Sequence, residues 1–85
     1  MAENVINYPH LSEKSVEMVD EQNTLIFMVE DHSTKPMIED AVESMFDVDV
    51  ANVNTQRTQS GEKKAYVKLT PDHEALDIAT ELGML

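Results

Sequence analysis

TLIFMVE, residues 24–30, is the stretch that decides the fold. Successive side chains of an extended chain point to opposite faces, so Leu25, Phe27 and Val29 fall on one side and Ile26 and Met28 on the other. Both sets are apolar. A strand with no polar face is predicted in the middle of a sheet that carries helices on both sides.

Working outward from it, Ser33 or Thr34 caps a helix predicted over residues 34–46, with Pro36 tolerated in its first turn. Ile38, Ala41, Val42 and Met45 supply the apolar stripe at i, i+3, i+4 and i+7. Glu39, Asp40 and Glu43 then fall on the outer, hydrated face, with Asp47 and Asp49 beyond it. Val48, Val50 and Val53 mark a third strand that continues through Asn54 and Thr55. Gln59-Ser60-Gly61-Glu62 signals a turn, and residues 64–69 alternate as a fourth strand. In that strand Ala65, Val67 and Leu69 are predicted inward, Tyr66 and Lys68 outward. Thr70-Pro71 is predicted as N-cap and first residue of the last helix, lined by Ala75, Ile78, Ala79 and Leu82 and ended by Gly83. Upstream, NVINY (residues 4–8) reads as a short strand ended by Pro9. Ser12 reads as the cap of a helix running to about Asp20, with Glu13 near its positive end and a thin apolar face of Val16 and Val19. The order is β-α-β-α-β-β-α, an α+β protein, and 85 residues make one domain, 1–85.

The bulk properties narrow the function. There is no Cys, hence neither a disulfide framework nor a thiolate metal site. No apolar run approaches the roughly 18 residues of a membrane helix, and MAENVINYPH lacks the basic and apolar regions of a signal peptide. A soluble, cytoplasmic protein without membrane insertion is expected. The net charge of −11 has the wrong sign for a nucleic-acid binder. Its distribution is uneven, however. Residues 54–68 hold Arg57, Lys63, Lys64 and Lys68 against Glu62 alone, a local +3 that leaves −14 for the rest.

Catalytic chemistry finds little footing. His10, His32 and His73 follow no metal-ligand spacing, so no metal or cofactor is expected. Ser12-Glu13-Lys14 is better explained as a helix start than as a reactive group. With Gly61 and Gly83 the only glycines, no phosphate-cradling loop can form. Met1, Met18, Met28, Met37, Met45 and Met84 read mostly as packing residues. Tyr66 has the chemistry to stack on a base, although a lone aromatic beside a hairpin more often packs across strands. No enzyme is expected.

Three stretches, in register over nearly the whole chain, carry a resemblance. They are Tyr8-Pro9-His10-Leu11-Ser12-Glu13-Lys14; residues 23–55 with Lys35, Ile38, Ala41-Val42-Glu43, Phe46-x-Val48-x-Val50 and Val53-Asn54-Thr55; and Gly61-x-Lys63-Lys64-Ala65-Tyr66-Val67-x-Leu69. Together they resemble the large-subunit ribosomal protein family L twenty-three. The resemblance implies a four-stranded antiparallel sheet with helices packed on it, related to ferredoxin-like folds. It implies a structural constituent of the large subunit that binds large-subunit rRNA at the rim of the polypeptide exit tunnel. Neighbouring ribosomal proteins are implied partners, as are the signal recognition particle and the translocon at the tunnel exit. In bacterial members trigger factor docks at the Glu of Ser-Glu-Lys, which is Glu13 here; what carries over is an exposed docking surface. The hairpin loop is short where bacterial members have a long one, so the chain resembles the archaeal type, and its acidity suggests a salt-adapted archaeon.

The basic segment then becomes the expected RNA contact. Arg57, Lys63, Lys64 and Asn54 are the leading candidates, with Thr55 and Gln56 on sugar or base edges and Lys14, Lys35 and Ser12 in second rank. The rival reading is a stand-alone ferredoxin-like interaction or regulatory domain, which would run free in an extract instead of sedimenting with ribosomal subunits.

Overall fold

A computed structural model describes residues 4–84. The readings made of Met1 and of the first few residues as a non-signal sequence lie in part outside them. Seven elements follow in order: β1 (Ile6–Pro9), α1 (Glu13–Gln22), β2 (Thr24–Val29), α2 (Lys35–Phe46), β3 (Val50–Arg57), β4 (Lys63–Leu69) and α3 (Ala75–Glu81). The strands form one antiparallel sheet in the order β1-β2-β4-β3. β2 is an interior strand and every one of its residues is buried, as its apolar sequence requires.

The two sides of β2 serve different layers. Leu25, Phe27 and Val29 join Ala65, Val67, Leu69 and Val53 in the main core, closed by Ile38, Ala41 and Val42 of α2 and by Ala75, Ile78 and Ala79 of α3. Phe27 stacks on Phe46, ring centroids 6.0 Å apart. Ile26 and Met28 lie outside that core yet are equally buried. Their cross-strand partners Tyr66 and Lys64 share their face. On this side Met18 and Gln22 of α1 flank Thr24, Tyr66 and Lys68, so α1 lies over it. Helices therefore cover both sides of the sheet.

Local chemistry explains the boundaries. Ser12 caps α1: its hydroxyl accepts from Ser15 N at 3.1 Å, while Ser15 Oγ accepts from Ser12 N at 2.8 Å, a reciprocal capping box. Thr34, rather than Ser33, caps α2 by accepting from Met37 N at 3.3 Å. Ser33 is buried and its hydroxyl donates to Glu30 O instead. The apolar stripe of α2 continues at Phe46 and not at Met45, which is 48% exposed. Phe46 closes the helix, and stacking on Phe27 seats its ring against the core although Met45 lies nearer the stripe at 100° per residue. Glu43 is not simply hydrated either, for its carboxylate accepts from Val50 N at 2.9 Å and ties α2 to the start of β3.

The start of the last helix differs most from expectation. Thr70-Pro71 forms a turn, with His73 N donating to Thr70 O at 3.1 Å, and α3 begins only at Ala75. Its first N–H is capped from a distant part of the chain: Asn23 Oδ1 accepts from Ala75 N at 2.7 Å. The same side chain donates from Nδ2 to His73 O at 2.9 Å. Asn23 itself ends α1 in the left-handed region, φ 52°, which Asn tolerates better than most residues. The other end of α3 follows expectation. Gly83 (φ +74°) donates to Thr80 O and Met84 to Ala79 O, the paired bonds of a Schellman motif, with Met84 buried beside the helix.

Candidate nucleic-acid interface

β3 and β4 form a ribbon whose loop is five residues long, residues 58–62, because β3 runs on past Thr55 to Arg57. Thr58 organises the loop: its N–H donates to Glu62 O at 2.8 Å, its carbonyl accepts from Gly61 N at 3.0 Å, and its hydroxyl accepts from Glu62 N at 3.2 Å. Gly61 at φ +88° supplies the left-handed step of the turn. The basic residues consequently stand on strands and not in the loop. Strand alternation then divides them between the two sides of the sheet.

On the core side, beyond the end of the hydrophobic layer, Arg57 and Lys63 are cross-strand partners. Both are held by the β2–α2 connection. Arg57 forms an ion pair with Asp31, and Lys63 Nζ donates to Ser33 O. The hydrogen bond from Arg57, helped by its charge, holds the Asp31 carboxyl below its usual range and raises the guanidinium further above its own. Thr55 lies on this side too, in register with Ala65.

The other side carries Asn52, Asn54 and Gln56 of β3 opposite Lys68, Tyr66 and Lys64 of β4. Asn52, Asn54 and Gln56 share this side by ordinary alternation, and the irregularity between Val50 and Asn52 shifts only the residues before them. Without it, the spacing Val50-Val53 would put one valine in water. Tyr66 Oη donates to Gln56 Oε1 at 3.0 Å, fixing the phenol across the two strands. α1 packs on β2, leaving the β3–β4 half of this side open as a groove with Met18 and Gln22 as its wall. None of the described residues lining the groove is acidic, although the chain has 17 acidic residues.

The remaining expected contacts stand apart. Lys35 opens α2 and is exposed, two residues beyond the Ser33 that receives Lys63. Lys14 and Glu13 are exposed in the first turn of α1, next to Ser12, whose hydroxyl is engaged as the cap. Near them Leu11 is 61% and Tyr8 50% exposed. Tyr8 Oη donates to Glu62 at 2.9 Å, which raises the pKa of the phenol. The fold thus brings Asn54, Gln56 and Lys64 together, sets Arg57 and Lys63 on the opposite side, and leaves Ser12, Lys14 and Lys35 elsewhere; Thr55, in register with Ala65, also borders the groove. Asn52, Tyr66 and Lys68 complete the open face. The outward alternation of Tyr66 and Lys68 was visible in the sequence, and Asn52 follows by the same period of two counted back from Asn54.

The sequence pattern of the family Ribosomal protein L23 matches residues 4–77, from just before β1 into the first turn of α3. The chain belongs to the ribosomal protein L23 family. The large ribosomal subunit protein uL23 of Haloarcula marismortui is 45% identical to it over 84 residues, 99% of each chain. The L23 match includes the whole β3–β4 ribbon and both of its faces, as well as Ser12, Glu13 and Lys14 at the start of α1. Among the described residues, no helix is long and apolar enough to cross a membrane.

Proposed function

We propose that this L23-family protein is a structural constituent of the large ribosomal subunit, works on the ribosome in the cytoplasm and binds large-subunit rRNA through the open face of the β3–β4 ribbon. The observation that carries the proposal is the juxtaposition of Asn54, Gln56, Tyr66 and Lys68 in a groove whose described lining holds no acid, with Lys64 on the same face, within a family of ribosomal proteins. Lys64 and Lys68 supply charge to phosphate, while the amides of Asn54 and Gln56 offer both donors and acceptors to sugar and base edges. Arg57 and Lys63 add phosphate contacts at the ribbon's end, in competition with Asp31 and the Ser33 carbonyl. Thr55 and the more distant Ser12, Lys14 and Lys35 contribute at the margin.

The net charge of −11 then needs a physical answer. Screening supplies one. The Debye length is about 8 Å at physiological ionic strength and about 3 Å at 1 M, so carboxylates on other faces hardly act on a phosphate held at the groove. A salt-adapted host would strengthen that condition. The same proposal sets the protein at the rim of the exit tunnel among other large-subunit proteins. Exposed Glu13, with Leu11 and Tyr8 beside it, would be part of a platform for the signal recognition particle and the translocon.

Sedimentation tests the assignment. In a cell extract the protein is expected to co-sediment quantitatively with large subunits and to leave them only when the rRNA is digested. A protein found wholly at the top of the gradient, free of rRNA, would instead be a stand-alone interaction domain.

A further inference from the structure

We infer that the groove between α1 and the β3–β4 ribbon holds one unstacked nucleotide, its base lying against Tyr66; the inference rests on the rRNA-binding reading and specifies what that site takes. Duplex RNA offers a protein phosphates and 2′-hydroxyls on a smooth surface, whereas an extruded base needs a flat apolar platform and polar groups that meet its edges. The groove has both. Tyr66 is half-buried and stands at the centre of the open face, with Asn54 as its cross-strand partner and Ile26 on its other side.

The phenol is held in position from both ends. Its ring rests on a strand whose opposite side is packed into the core, and its hydroxyl donates to Gln56 Oε1 at 3.0 Å. A platform already fixed in this way loses little side-chain freedom when a base lands on it. The wall opposite is Met18, a flexible thioether suited to the irregular edge of a base, and Gln22, a second amide. Lys68 lines the groove, and Lys64 stands on the same face two residues from Tyr66. A phosphate flanking the bound base therefore has a cation within the same site. The absence of acids from the lining makes the groove complementary to a nucleotide and to few other parts of this acidic molecule. Tyr66 is thus a ligand-binding residue, and its bond to Gln56 positions it.

The test uses the protein on large subunits, with Tyr66→Leu, Tyr66→Phe and the unaltered chain compared. Phe keeps the stacking surface and Leu does not. Removal of one base–aromatic stack is expected to weaken rRNA affinity by about tenfold in Tyr66→Leu, with little change in Tyr66→Phe. In assembled particles, chemical probing of base edges is expected to show one nucleotide newly reactive with the Leu variant alone. A second measurement needs no variant: ultraviolet crosslinking of the unaltered protein on the subunit is expected to leave a nucleotide adduct on the peptide containing Tyr66. If the protein binds rRNA but both variants match it and no adduct forms on that peptide, the groove is not a nucleotide site, while the rRNA-binding reading survives. If the unaltered protein binds no rRNA at all, both fall.

Discussion

The two sides of the β3–β4 ribbon share a backbone and little else. On one, Arg57 and Lys63 are bound to the protein itself through Asp31 and the Ser33 carbonyl. On the other, Lys64 and Lys68 share an open face with a tyrosine and three amides. Counted along the sequence, these four cations are one basic segment. Folded, they are two pairs with different partners. The lesson is that charge density along a strand means little until the period of two has sorted it. A cation already paired with a protein group has part of its charge answered before RNA arrives, whereas one on an open face does not.

The largest effect that separates the sides is on stability. Phe27 is 1% exposed and stacked on Phe46 in the core beneath the ribbon. Phe27→Ala is expected to cost about 3–5 kcal/mol, measured by urea unfolding. Replacing outward-facing Lys68 by Ala should stay within about 0.5 kcal/mol. Comparable losses at both sites would mean that the open face is packed and not open.

Next come the effects on rRNA binding. Lys64→Ala is expected to lower the slope of log affinity against log salt by about 0.7–0.9, the signature of one lost phosphate contact. Filter binding over a salt series checks it, and an unchanged slope would remove Lys64 from the interface. The held side should respond in the opposite sense. Asp31→Asn removes the partner of Arg57 together with a negative charge, and is expected to raise rRNA affinity by about two- to fivefold, the small gain that loss of an exposed ion pair allows. A weaker complex would show that Arg57 needs Asp31 to point at its target.

The smallest effect is a titration. Arg57 holds the Asp31 carboxyl below its usual 3.8 through a hydrogen bond and its charge. Because the folded-state value is the lowered one, the stabilisation is present above pH 3.8 and is lost as pH falls through the folded value. Arg57→Ala is expected to return the Asp31 midpoint, read by NMR, towards 3.8 and to leave the stability difference between variant and wild type constant above about pH 5. An unmoved midpoint would dissolve the ion pair, and with it the contrast between the two sides.

Much of the architecture was legible because it rests on local rules. The doubly apolar β2, the alternation of β4, the Ser12 cap and Gly83 after the last helix each follow from spacing or backbone freedom within a few residues. What escaped depended on distant groups. Thr70-Pro71 has the composition of a helix start, but the cap of α3 comes from Asn23, more than fifty residues upstream. β3 reads as irregular because the alternation breaks near Ala51, between Val50 and Val53, and only the register with β4 reveals where. The candidate site was half legible for the same reason. Its residue types were visible, and Asn54, Gln56 and Lys64 were among those expected, but their separation from Arg57 and Lys63 is a property of pairing.

The most direct test of the open-face account is a competition for large subunits lacking this protein. Wild type and a Lys64→Glu, Tyr66→Leu double variant, each shown to be folded by its thermal transition, are mixed in equal amounts and sedimented with the particles. Wild-type protein is expected to fill the subunits almost alone, with the variant left at the top of the gradient. Equal occupancy by the two proteins would contradict the assignment of the open face to rRNA.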